Sequence, residues 1–127
     1  MNLITLSHPQ SPAAEAYRTL RASLHFAALD APLKSLVVTS PSTQEDKTAA
    51  AANLSVVLAQ SEKRVILVDA DLRRQRLHTL FHLDGTLGLT DVLNGVEVAD
   101  ALQPTGINGL SILTSGKLSA VPSDVLS

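Results

Sequence analysis

Apolar and polar residues are arranged along this chain in blocks that predict an α/β fold. Helical periodicity is clearest from Ser11 to about Leu29, where apolar side chains recur every three or four residues. Short β-branched and apolar runs at Leu36–Thr39 and Val65–Val68 are typical of buried strands. Between them, Lys47 to about Gln60 is mostly Ala, Leu and Val, which predicts a helix packed on several sides. Strand, helix and strand together predict a βαβ unit in a parallel sheet covered on both faces.

The sequence indicates where the first helix starts and which of its faces are apolar and charged. Ser11, Pro12 and Glu15 fit an N-cap, a first-turn proline and an acidic first turn. A helical projection separates an apolar core face from a charged face. The predicted core face consists of Ala13, Tyr17, Leu20, Leu24 and Ala27. The predicted charged face consists of Glu15, Arg18 and Arg21.

Shorter elements are predicted downstream. Arg76 to Phe81 and Leu89 to Leu93 have the pattern of short helices, and Leu110 to Leu113 that of a third strand. Ser123 is a candidate cap for a helix that the sequence barely begins, so we expect a C-terminally truncated domain. The prediction is a single domain over residues 1–127, with an N-terminal helix within 1–30 and a partial α/β core over 34–127.

Composition narrows the class of protein. The chain has 127 residues, 45% hydrophobic and 17% charged, which fits one globular domain with its own core. An aromatic content of 2% and a net charge of -2 argue against nucleic-acid binding. The absence of cysteine excludes disulfides, thiolate catalysis and cysteine-type zinc sites. We find no secretory leader and no apolar run of about eighteen residues, so we expect membrane association only through a partner.

The turn after the first predicted strand has part of a phosphate-binding motif. Its sequence is "PSTQEDKT", from Pro41 to Thr48, and a P-loop has the pattern G-x-x-x-x-G-K-[ST] at such a turn. Lys47 and Thr48 match the residues that contact phosphate and Mg²⁺, whereas Pro41 and Asp46 occupy the glycine positions. A lysine at a helix start is more often a solvated surface residue, so this motif alone leaves both interpretations open.

Two acids follow the second predicted strand. Asp69 and Asp71 stand at its carboxyl end, where α/β proteins place their ligands. Two carboxylates at that edge can hold Mg²⁺ or orient a hydroxyl group. The alternative is a solvated acidic turn or a helix cap, and the Lys-Thr turn upstream favours the ligand site.

Four stretches of the sequence resemble the cytoplasmic ATPase domain of bacterial tyrosine kinases (BY-kinases) that control capsule and exopolysaccharide synthesis. They are "SPAAEAYRTLRASLHF", "SLVVTSPSTQEDKTAAAANLSVVLAQSEKRVILVDADLRRQRLHTLF", "GLTDVLNG" and "LSILTSGKLSAVPSDVL". They cover most of the chain in the order of the family. The resemblance implies a P-loop NTPase-like, Rossmann-like three-layer fold, with ATP and Mg²⁺ as cofactors.

The resemblance also implies roles for individual residues. Lys47 and Thr48 correspond to the end of the Walker A loop, with Thr48 as a metal ligand. Asp69 and Asp71 correspond to the Walker A′ acids, which serve Mg²⁺ and activate the tyrosine hydroxyl. Glu15, Arg18 and Arg21 match an E-x-x-R-x-x-R motif through which the family's domains assemble into rings, although alone they would be an ordinary solvated helix face.

Partners and location follow from the same resemblance. It implies a homo-oligomer in the cytoplasm, held at the inner face of the plasma membrane by a membrane-embedded activator of the polysaccharide co-polymerase type. Nucleic acid and direct membrane insertion are not expected.

Three departures from the family matter, and the first, in the loop, predicts weak ATP binding. The family's loop is roughly S-P-x-P-G-E-G-K-[ST], and Gln44 and Asp46 replace its glycines. Two unit charges about 4 Å apart at an effective dielectric of about 20 interact by roughly 4 kcal/mol. Repulsion of that size between Asp46 and a phosphate would weaken binding about a thousandfold. We expect Asp46 to pair with Lys47 instead. The other two departures are that neither the family's acid-tipped Walker B strand nor its tyrosine-rich tail appears in this sequence, Tyr17 being the only tyrosine, and without them autokinase activity has no obvious base or substrate.

Several functions remain open on the sequence. The first is a degenerate BY-kinase-like domain with a regulatory or assembly role, and the second is an active autokinase of which this chain is the N-terminal part. The third is a relative of the deviant P-loop ATPases that position septa and partition plasmids, but Ser42 stands where those carry a lysine. A metal-dependent hydrolase using His78 and His82 is the weakest alternative.

Overall fold

The chain forms two compact units. In this computed structural model, residues 3–40, 47–72 and 74–117 are described. The first unit comprises the described residues up to Arg64, and the second begins at Val65. The altered phosphate loop at 41–46 and the helix cap predicted at Ser123 lie outside the described residues.

The regular secondary structure in the described part of the first unit is helical. Its helices are α1 (Ile4–Ser7), α2 (Pro12–Ala27) and α3 (Lys47–Gln60). The start of α2 is as predicted, since the Ser11 hydroxyl oxygen accepts the Ala14 N–H at 3.2 Å. The six consecutive residues 52–57 of α3 are buried, which confirms a helix packed on several sides. Helix α1 was not predicted.

The faces predicted for α2 are only partly correct, since Tyr17 and Leu24 are half-buried and Glu15 is exposed as predicted. Three of the assigned core residues, Ala13, Leu20 and Ala27, are exposed. The sheltered residues, buried or half-buried, are Ala14, Tyr17, Arg18, Arg21, Leu24 and Ala28. Their spacing of three and four is helical, but the stripe is shifted by one position and includes both arginines. The projection placed all charge outward, whereas the Arg21 guanidinium binds a carbonyl of α3.

The strand predicted at Leu36–Thr39 is not present. Residues 32–40 have no regular secondary structure, and the Leu36 and Val37 side chains are 47% and 85% exposed. A strand needs a neighbouring strand for its backbone hydrogen bonds. Among its described residues the first unit contains helices and no strand, so this apolar run has no pairing partner within the unit.

The second unit contains a small mixed sheet. Its elements are β1 (Val65–Val68), α4 (Leu77–Leu80), α5 (Leu89–Leu93), α6 (Val98–Ala101), β2 (Gln103–Pro104) and β3 (Leu110–Leu113). The strand order is β1-β3-β2. Strands β1 and β3 are parallel, with Val65 opposite Leu110, and β2 is antiparallel to β3.

These elements confirm the α/β fold class and correct its details. Helices α4 and α5 and strands β1 and β3 were predicted, whereas α6 and β2 were not. Parallel pairing is present, but β1 pairs with β3 rather than with the run at 36–39. Burial alternates along β1, where Ile66 and Val68 are 52% and 43% exposed, so the strand is not covered on both faces. No helix within the described ranges is long and apolar enough to cross a bilayer.

Candidate functional site

Lys47 and Thr48 are the first two residues of α3, and both are half-buried. The first N–H groups of a helix lack partners within it, and its dipole makes that end positive. Lysine and threonine at the start of a 14-residue helix are therefore suited to an anion such as phosphate. The same arrangement terminates a P-loop.

A buried amide contact fixes α3 to the start of the chain. The Asn53 Oδ1 atom accepts the Thr5 N–H at 3.1 Å and the Thr5 hydroxyl at 2.7 Å. The Asn53 Nδ2 atom donates to Ala49 O at 2.8 Å, so both ends of the amide are satisfied. Asn53 and Thr5 are 4% and 2% exposed. Because a buried polar group without a partner is costly, this contact specifies how α1 packs on α3.

Asp69 follows β1 and organises the turn after it. Asp69 is 7% exposed, and its carboxylate accepts three backbone N–H groups. Asp69 Oδ1 accepts the Asp71 N–H at 3.1 Å, and Oδ2 accepts those of Arg76 and Leu77 at 3.2 and 3.3 Å. The last two bonds cap the start of α4, for which the N-cap residue Arg76 supplies no side-chain bond. The helix-cap alternative therefore describes Asp69 correctly.

Asp71 has a different environment. It is half-buried, and its Oδ1 atom accepts the Arg74 N–H at 3.1 Å. Asp71 is therefore less enclosed than Asp69, which is buried.

The carboxyl end of β3 is closely packed against the start of α5. Thr114 O accepts the Leu89 N–H at 2.7 Å, and the buried Ser115 hydroxyl donates to Asp69 O at 3.0 Å. A Cβ atom on Gly88 would lie 2.1 Å from Thr114 O, so only glycine fits there. Gly116 has φ +85°, and a Cβ atom on it would lie 2.4 Å from the Thr90 hydroxyl oxygen. The carboxyl ends of β1 and β3 are thus connected by hydrogen bonds to each other and to the start of α5.

Glu15, Arg18 and Arg21, which were predicted as one motif, make different contacts. Arg18 and Glu15 form an ion pair at 2.8 Å on the surface of α2, and Arg21 instead contacts α3. Lys47 and Thr48 belong to the first unit, and Asp69 and Asp71 belong to the second unit. His78 and His82 are not part of any group of three or more metal-binding side chains among the described residues.

Sequence reasoning missed Asn53, Ser115 and the contact of Arg21. An amide in an otherwise apolar helix was the available signal for Asn53, since such a group requires a buried partner. Ser115 and Arg21 carried no comparable signal, because their partners are backbone carbonyls distant in sequence.

A parallel strand pair whose first strand ends in two acids, and a buried helix that begins with Lys-Thr, are features of α/β proteins of the P-loop ATPase type. No protein-family model matches the chain. The septum site-determining protein MinD of Pyrococcus horikoshii, solved with Mg-ADP, matches 72% of this chain and 37% of its own at 30% identity and a TM-score of 0.56. The fold is therefore shared with an ATPase of the septum-positioning class.

Bacterial tyrosine kinases resemble the chain over nearly its whole length. It is 42% identical to the tyrosine-protein kinase YwqD of Bacillus subtilis over 127 residues, 99% of this chain and 54% of that kinase. It is 38% identical to the tyrosine-protein kinase wzc of Salmonella typhi over 125 residues, 98% of this chain and 17% of that kinase. The solved kinase domain of the Escherichia coli tyrosine kinase ETK matches 99% of this chain and 50% of its own, at 35% identity and a TM-score of 0.92.

The homologues of this chain are bacterial tyrosine-protein kinases, which confirms the resemblance found in the sequence. The chain spans about half the length of YwqD and about a sixth of wzc.

Proposed function

We propose that the chain is a BY-kinase-like cytoplasmic domain of a capsule or exopolysaccharide assembly system, with a regulatory or assembly role and weak ATP binding. The observation that carries the proposal is the 42% identity to a tyrosine-protein kinase across the chain. The Lys-Thr start of α3 and the two acids after β1 support it, because these are the residue types that a P-loop kinase requires. The solved kinase domains match nearly the whole chain, which favours a single domain of this type.

The described residues fit Mg-ATP in part. In the first unit, Lys47 would neutralise phosphate charge and the Thr48 hydroxyl would provide an oxygen ligand for Mg²⁺. In the second unit, Asp69 and Asp71 are carboxylates of the type that holds Mg²⁺. When bound, Mg²⁺ would supply charge neutralisation at the transferred phosphate. In an active relative, a carboxylate at the position of Asp71 or Asp69 would orient or deprotonate a tyrosine hydroxyl.

Weak binding is proposed from the loop sequence. Asp46 places a negative charge, and Gln44 a side chain, where a P-loop has glycine. Backbone N–H groups at those positions normally approach the phosphates closely, so a carboxylate there opposes the same ligand. The helix that follows the loop is formed, which agrees with a domain that keeps the fold of the family but has lost most of its catalysis.

Assembly is proposed to use the exposed part of α2. The Glu15 and Arg18 side chains are 67% and 27% exposed and pair with one another, so a second copy could exchange this pair across an interface. A membrane-embedded activator is proposed as the further partner, through which the domain is held at the inner membrane face. Light scattering tests the homo-oligomer: Arg18→Glu should lower the measured mass, and Glu15→Arg combined with Arg18→Glu should restore it. A monomeric mass for all three proteins would contradict this role.

The second candidate is an active tyrosine kinase, favoured by the same relatives. The two candidates are distinguished by incubating the chain with Mg-ATP and a tyrosine-rich acceptor peptide, and measuring phosphotyrosine. We expect no phosphotransfer above that of an Asp69→Asn, Asp71→Asn double variant. Transfer that depends on these two acids would establish the active kinase and refute the regulatory role.

A further inference from the structure

Arg21 makes a contact that its place in the E-x-x-R-x-x-R motif does not predict. Its Nη1 atom donates to Val57 O in α3 at 2.6 Å, joining residues 36 positions apart. The guanidinium group is half-buried, and the Val57 side chain is fully buried. The contact therefore lies between two packed helices of the first unit.

Val57 O lies in the last turn of α3, where helical carbonyls lack partners. The Ser61 N–H, which would continue the ladder to Val57 O, donates instead to Leu58 O at 3.2 Å. The Glu62 N–H donates to Ala59 O, also at 3.2 Å. Arg21 thus supplies the donor that the helix end lacks, and its positive charge lies at the negative end of the helix dipole.

A second polar contact holds the same face of α3. Asn53 binds Thr5 of α1, and residues 53 and 57 are four apart, so they lie one above the other on the helix. Helices α1 and α2 therefore contact α3 at two points that are one helical turn apart. Lys47 lies six residues before Asn53, about 9 Å along the axis at about 1.5 Å per residue. A rigid helix held at these points presents its first turn in a fixed position.

We propose that Arg21 is a positioning residue for α3: by capping the helix from α2, it fixes the placement of Lys47 and Thr48 at the other end. This separates the three charged residues of the motif into two roles. Glu15 and Arg18 form the exposed pair, and Arg21 acts within the chain. The importance of the positioning for phosphate rests on the proposed function, but the contact and its effect on α3 do not.

Amide hydrogen exchange followed by NMR tests the proposal on the nucleotide-free chain. The variants are Arg21→Ala and Arg21→Lys, with Arg18→Ala as the matched control that removes the same charge from the same helix. Hydrogen bonds to charged groups contribute about 1.5–3 kcal/mol, so in Arg21→Ala the amides of Ala59 and Gln60 should exchange roughly 10- to 100-fold faster. Arg21→Lys should give an intermediate increase, because an ammonium group retains a donor. Arg18→Ala should change these rates less than about twofold.

If Arg21 positions α3, removing its side chain should also speed amide exchange near the start of that helix. The amides of Ala51, Ala52 and Asn53 should exchange several-fold faster in Arg21→Ala as well. Faster exchange limited to the last turn, or equal behaviour of the Arg21→Ala and Arg18→Ala variants, would overturn the proposal.

One measurement on the unmodified chain covers the case in which Arg21→Ala does not fold. The Arg21 guanidinium should rotate more slowly than that of Arg18, because its bond goes to the carbonyl of a buried residue, whereas the two bonds of Arg18 go to an exposed carboxylate for which water competes; equal rotation would refute the contact. Since every measurement omits nucleotide, a failure of ATP binding would leave these results unaffected.

Discussion

Replacing Asp69 by alanine should destabilise the second unit far more than the same change at Asp71. The substitution removes the acceptor for three backbone N–H groups, those of Asp71, Arg76 and Leu77. An unsatisfied buried donor costs about 1–3 kcal/mol, and hydrogen bonds to a charged group contribute about 1.5–3 kcal/mol each. The bonds are 3.1–3.3 Å long, and some of the freed groups can reach water. We therefore expect a loss of about 2–4 kcal/mol in the free energy of unfolding, below the simple sum.

The assay is urea denaturation followed by far-ultraviolet circular dichroism. Asp71→Ala is the matched control, because it removes a carboxylate from the same turn at a half-buried rather than a buried position, and it should cost less than Asp69→Ala. Asp69→Asn keeps one acceptor oxygen and should fall between the two alanine variants. Equal midpoints for Asp69→Ala and Asp71→Ala, with equal slopes, would show that the carboxylate of Asp69 does not organise this turn.

Three further predictions concern other contacts. Asn53→Ala should lower the free energy of unfolding by about 2–4 kcal/mol, because it leaves two buried donors of Thr5 without their acceptor. Thermal denaturation should show this loss, and an unchanged melting temperature would contradict the contact. In urea denaturation, Gly116→Ala should lower the free energy of unfolding more than Gly106→Ala does. Both glycines have φ near +85°, but of the two only Gly116 has close neighbours, so equal losses of stability would refute the steric argument. Asp84 should titrate by NMR with a pKa below 3.8, because its carboxylate accepts the Thr86 N–H. Its stabilising effect should therefore be present above pH 3.8 and be lost as the pH falls through the lowered pKa.

Local patterns predicted local structure well. The Ser11 cap, the buried helix from Lys47 and the strand at Leu110–Leu113 depend on neighbouring residues, and each was confirmed. The bounds of α5 were also correct at both ends. In these cases the sequence signal and the structural cause lie within a few residues of each other.

Features that depend on distant partners were missed or wrong. The apolar run at 36–39 has the composition of a strand, but pairing requires a neighbour that composition does not specify. Arg21 was assigned to the charged face and to an interface between copies, because a helical projection does not show that a carbonyl in α3 needs a donor. Within the candidate site, residue types identified Asp69 and Asp71, and only the hydrogen bonds show that Asp69 caps the start of α4.

Calorimetric titration of Mg-ATP into the wild-type chain and a Gln44→Gly, Asp46→Gly double variant tests the central claim most directly. Relief of roughly 4 kcal/mol of repulsion predicts binding up to about a thousandfold tighter in the double variant. Adding Lys47→Ala to that variant should remove the gain, because the lysine neutralises phosphate charge. The account predicts no micromolar binding by the wild type. Micromolar binding by the wild type, unchanged by the two glycines, would contradict it.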